Sequence, residues 1–149
     1  MRHLGLALFF VSFSSLVCPN LTGNYARCVS QNGQISGSSD VVVTQAVING
    51  ATAYTMVSTD DDTGERSTDT IVADGKPVVD VEESDGMSIT STTVTTCQGD
   101  TLVADTDVSV EGQSIGQISM TVVRQGNTMV NTMNGMIMGM EINDTTICQ

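Results

Sequence analysis

Residues 101–125 read TLVADTDVSV, then EGQS, then IGQISMTVVRQ. In the first piece Leu102, Ala104, Thr106, Val108 and Val110 fall on one side of an extended chain. Val103, Asp105, Asp107 and Ser109 fall on the other. In the last piece Ile118, Met120 and Val122 oppose Ser119, Thr121 and Val123. Alternation with period two marks a half-buried β-strand, because successive side chains leave a strand on opposite faces. The four polar residues between the two runs read as a turn.

The same rhythm extends outward from this stretch. Toward the N-terminus come runs at 41–48, 51–59, 66–73, 78–83 and 87–97. They are separated by Asn49-Gly50, an acidic turn at 60–65, Asp74-Gly75, Asp85-Gly86 and a turn at 98–100. Toward the C-terminus, Gly126-Asn127 opens a Met-rich stretch that Asn134-Gly135 divides. Asn-Gly and Asp-Gly between β-rich runs signal tight hairpins, whose two central residues need positive φ. Valine and threonine dominate the runs, as pleated half-buried surfaces prefer, and no window keeps a helical spacing. Residues 29–40 are polar and glycine-rich, a loop with a short strand at its start. The fold expected is all-β: an antiparallel up-and-down β-barrel of 8–10 strands, with a β-sandwich as the alternative.

At the N-terminus, Arg2 and His3 precede the apolar run LGLALFFV at 4–11 and the small residues around Ser12 and Ser14. This is the layout of a secretory signal over 1–17, too short for a comfortable membrane span of about 20 apolar residues. The domain expected is therefore 18–149, exported to the periplasm or outside the cell. Lipid anchoring at Cys18 is the less favoured alternative, because Val17 suits a lipidation site poorly. Losing the signal removes every phenylalanine and the single histidine. Arg27, Arg66, Lys76 and Arg124 then stand against 17 acidic residues. Such a surface repels nucleic acid and anionic lipid. Two tyrosines cannot build the aromatic girdles of a membrane-spanning barrel. The mature chain is thus expected to be a monomer with no transmembrane segment, no nucleic-acid partner and no cofactor.

Cys18, Cys28, Cys97 and Cys148 in an exported chain imply two disulfides. Counting alternating strands from Gly23 puts Cys18, Cys97 and Cys148 at one end of the barrel. Cys28 falls about 17 Å away along the first strand. On that count Cys18–Cys28 and Cys97–Cys148 are expected, with Cys18–Cys148 plus Cys28–Cys97 as the competitor.

The first strand opens Cys18-Pro19-Asn20-Leu21-Thr22-Gly23-Asn24-Tyr25. Gly23-Asn24-Tyr25 resembles the Gly-x-Trp opening of calycins, the group of lipocalins and fatty-acid-binding proteins. The rhythm of 41–147 resembles their ten-strand variety. The chain as a whole is similar to small secreted proteins of predatory bacteria, which open with a like Cys-Pro-x-Leu-x-Gly-x-Tyr segment. The calycin resemblance implies a barrel-closing motif of Gly23, Tyr25 and Arg124, with the guanidinium lying over the ring. It also implies a small apolar ligand in the barrel.

Chemistry is narrowed by elimination. Without histidine beyond the signal there is no Ser-His-Asp triad, no Cys-His pair and no histidine zinc site. Asp105 and Asp107 share a strand face about 7 Å apart, as solvent-facing acids do on any half-exposed strand. Lys76 sits in an Asp-Gly-Lys-Pro turn and reads as solvated. Asp60, Asp61, Asp62 and Glu65 could offer oxygens to calcium, but the spacing is not that of an EF-hand, and a solvated hairpin tip is the reading adopted. Met136, Met138 and Met140 alternate along an extended run and read as core filling on one strand face. A Cu(I) site of soft thioethers is the alternative. The function expected is a non-enzymatic lipocalin-like protein holding a small apolar ligand. A structural or interaction module with a filled core, or a methionine-rich Cu(I) binder, are the alternatives.

Overall fold

The structure, a computed structural model, describes residues 18–32 and 38–149; the expected signal over 1–17 lies outside the described residues. Ten strands follow in order: β1 Gly23–Ser30, β2 Ser38–Ile48, β3 Ala51–Asp60, β4 Arg66–Ala73, β5 Pro77–Ser84, β6 Met87–Gln98, β7 Thr101–Val110, β8 Gln113–Gln125, β9 Thr128–Ile137 and β10 Met140–Cys148. All belong to one antiparallel sheet of order β4-β3-β2-β1-β10-β9-β8-β7-β6-β5. Each strand pairs with its chain neighbour except β4 with β5, and β1 closes onto β10. One curled sheet, not two packed ones, rules for the up-and-down reading over the sandwich.

The curl stops between β4 and β5, the two edges, and the molecule is a half-barrel. Their connecting turn is fastened to β6, where the Gly75 amide donates to the Thr95 carbonyl at 3.0 Å. Strand β5 is exposed along its whole length. It starts with Pro77 and carries Asp80, Glu82 and Glu83, residues that discourage pairing with another chain.

Turns of alternate hairpins fall at alternate ends. The closed end receives the β2–β3, β4–β5, β6–β7 and β8–β9 turns, the lead-in before β1 and the C-terminus. The rim carries the others. Hydrophobic packing concentrates at the closed end, where Leu21, Tyr25, Val43, Tyr54, Leu102, Val122 and Met129 form one cluster with Cys28, Cys97 and Cys148. Both tyrosines, the only large aromatics of the domain, give their hydroxyls to the lead-in. Tyr25 donates to the Leu21 carbonyl at 2.8 Å and Tyr54 to the Pro19 carbonyl at 2.7 Å. Arg124 adds a third bond, from Nη1 to the Thr22 carbonyl at 2.8 Å. A polar backbone segment can plug an apolar barrel end only if its carbonyls find donors. These three side chains supply them.

The disulfides join Cys18 to Cys97 and Cys28 to Cys148. This is neither the expected pairing nor its competitor. Cys18 and Cys97 do meet at the closed end, with Cα atoms 5.1 Å apart. The miscount concerns Cys28. Strand β1 starts beyond the end of β10, so that Ala26 bonds Gln149 in both directions and Val29 stands opposite Ile147. A bulge between Tyr25 and Cys28, with Arg27 at φ 54°, then turns Cys28 inward. Cys28 and Cys148 consequently lie 3.9 Å apart at Cα.

A second correction concerns the last hairpin. Asn134-Gly135 is not a turn; it lies inside β9, and the chain reverses at Met138-Gly139, with φ 51° and 78°. Gly135 serves a different purpose. A Cβ built on it would stand 2.2 Å from the Gln117 carbonyl oxygen of β8. The missing side chain lets two backbones approach.

Candidate functional site

Alternation and register define two faces. The inner one, continuous with the core, runs on toward the rim through Thr93 and Ser91 of β6, Thr106 and Val108 of β7, Met120 and Ile118 of β8, Met133 and Ile137 of β9, and Ile142 of β10. All of these are half-buried. The core thus fills the closed end and leaves the upper inner wall, a mixture of threonine and aliphatic side chains, incompletely covered.

A polar node interrupts this wall on β9 and β10. Asp144 is 2% exposed. Its Oδ1 accepts from the Ser30 hydroxyl at 2.7 Å and from the amides of Thr145 at 2.9 Å and Asn32 at 3.3 Å. Its Oδ2 has no partner among the described residues, and neither has the buried Oδ1 of Asn131. The sequence reading missed this node. Its only trace is a charged residue at an inward position of β10, between Ile142 and Thr146.

The barrel-closing trio is brought together in part. The ring of Tyr25 folds over Gly23, whose hypothetical Cβ would lie 3.0 Å from Cζ. Arg124 reaches the same segment through the Thr22 carbonyl, while its Nε donates to the Gly126 carbonyl of its own turn at 2.8 Å.

The reading of the methionines as core filling on one strand face is overturned. Met136, Met138 and Met140 are 55%, 71% and 65% exposed, so they do not fill the core. Nor do they share a face. Met138 is in the turn, Met136 pairs with Glu141, and Met140 pairs with Ile137, which places Met136 and Met140 on opposite faces of the hairpin. The turn falls inside the run that looked continuous, and breaks its period of two.

The acids singled out in the sequence stay on the outside. Asp105 and Asp107 are exposed on the outer face of β7, where Ser119 donates to the first at 2.6 Å and Gln117 to the second. They border an open outer groove of about 910 Å³ over β7–β10, with Asn134, Met136 and Glu141 on its far side. At the β3–β4 tip, Asp60 Oδ1 accepts from the amides of Thr63 and Asp62 and from the Thr63 hydroxyl. The Thr63 amide and hydroxyl lead in holding its carboxyl below the ordinary range. Among the described residues no three His, Cys, Asp or Glu side chains gather as a metal site. Lys76 is exposed beside Asp74, at 3.3 Å. Among the described residues no helix is long and apolar enough to cross a membrane.

Comparison with protein-family models, with curated proteins and with solved structures yields no match for this chain.

Proposed function

We propose that this protein is an exported, non-enzymatic binding protein of lipocalin-like type, holding a small, largely apolar ligand against the inner wall of the half-barrel. The observation that carries the reading is the uneven filling of the interior. The cluster around Tyr25, Tyr54 and Leu102 packs the closed end, while Ile118, Met133, Ile137 and Ile142 line the inner wall above it and remain half-buried. Apolar side chains left half-covered on a concave wall are the usual lining of a small-molecule site. Two disulfides fit an oxidising export compartment. They also hold the closed end shut, which lets the wall above stay open without loss of the fold.

Native mass spectrometry of protein purified from its own host tests this. A co-purifying lipid-sized mass is expected, together with fluorescence enhancement of an uncharged apolar dye that Ile118→Lys abolishes. No bound mass and no dye response would overturn the reading and favour a module whose interior is simply filled.

A further inference from the structure

The buried node on β9 and β10 asks for something the described residues do not supply. One oxygen of Asp144 holds three donors and the other none among the described residues, in a residue 2% exposed. Buried acceptors in folded proteins are nearly always satisfied, and a bare one calls for a bound partner. Asn131 Oδ1 is a second bare acceptor on the same face. Asn131 stands opposite Thr146 and Asp144 opposite Met133, which makes the two residues diagonal neighbours, about 7 Å apart at Cβ. Every basic residue among those described, Arg27, Arg66, Lys76 and Arg124, is exposed, so none of them neutralises Asp144.

The missing partner must therefore be a hydrogen-bond donor, preferably positive. A hard metal ion fits poorly, since calcium takes six to eight oxygens and no group of acidic, cysteine or histidine side chains assembles among the described residues. A primary ammonium fits better. It carries three donors and a full charge, and can give one bond to each bare oxygen. Met133, directly opposite Asp144, and Met120 beside it offer flexible apolar surface to whatever the ammonium is attached to.

We propose that Asp144 and Asn131 are the polar end of the inner-wall site, and that the ligand class is a primary amine with an apolar body. This rests on the binding reading above and names its ligand. The test is calorimetric titration of the oxidised mature chain with dodecylammonium, dodecanol, dodecanoate and dodecyltrimethylammonium. The primary ammonium is expected to bind tightest, roughly tenfold or more above dodecanol, as a charge-assisted hydrogen bond warrants. Trimethylation removes every N–H and should remove most of that advantage. Asp144→Asn should abolish the preference for the amine over dodecanol. Asn131→Leu, checked for folding by circular dichroism, should reduce it several-fold and serves if Asp144→Asn does not fold. If all four probes bind alike, or if both variants keep the preference, the node holds only structural water and the proposal is overturned while the wall site stands. If none binds, the wall reading itself is lost.

Discussion

The ring of Tyr25 lies across Gly23, two residues before it on β1, with its hydroxyl bonded to Leu21 a further two residues back. The aromatic ring thus closes over its own lead-in, and a methyl at position 23 would press on the ring at 3.0 Å. Gly23→Ala should displace Tyr25, break the bond to the Leu21 carbonyl and destabilise the domain by about 1–3 kcal/mol, the usual range for overpacking. Denaturant unfolding of the variant measures it. An unchanged midpoint would show that the ring can move aside without cost.

Tyr54 ties stability to alkaline pH. Burial pushes its phenol up to about 12, from an ordinary value of 10.0. The folded state thus favours the neutral form, which donates to Pro19. Stability from this group is complete below pH 10, where the unfolded tyrosine begins to ionise, and is lost as pH rises through about 12. Tyr54→Phe should flatten the fall in stability over that window, read by chemical unfolding at a series of pH values. It should also cost about 1 kcal/mol at neutral pH through the lost hydrogen bond.

At the rim hairpin, Met138 takes φ 51° with a side chain that packs on little. Asparagine tolerates that conformation better than methionine. Met138→Asn should raise stability by about 0.5–1 kcal/mol, since it completes an Asn-Gly turn and gives up no burial. Gly135→Ala, three residues earlier, should do the opposite, by about 3 kcal/mol or more. The added methyl would meet backbone, not a movable side chain. Thermal unfolding of the two variants should shift in opposite directions.

Cys18–Cys97 and Cys28–Cys148 span 79 and 120 residues. Chain-entropy arguments assign each about 4.5–5 kcal/mol, and less once the other bridge has shortened the loop. Removing either pair as a double serine variant should lower the unfolding midpoint substantially. Proteolysis between 28 and 97 without reductant should leave the N-terminal fragment joined to the C-terminal one through both bridges. A fragment carrying an internal Cys18–Cys28 link would contradict the structure.

Strand identity followed from local chemistry. The alternation of 101–125, the Val/Thr-rich runs and the Asn49-Gly50, Asp74-Gly75 and Asp85-Gly86 turns each act within a few residues, and β2 through β8 lie within three residues of where those signals end. The up-and-down order followed as well, because short turns leave neighbouring strands little choice but to pair. The pairing of Cys28, the site of the last turn and the fate of the methionines were decided elsewhere. Each depends on how far one strand slides along another. The offset of β1 past β10 brings Cys28 to Cys148, and the closeness of β8 to β9 turns Gly135 from a turn residue into a spacer. Sliding a strand by one or two residues changes no local propensity but moves every side chain to a new neighbour or to the other face. For the same reason Asp144 in the sequence is one acid among 17, and only the sheet register turns it inward, with one oxygen unpartnered among the described residues.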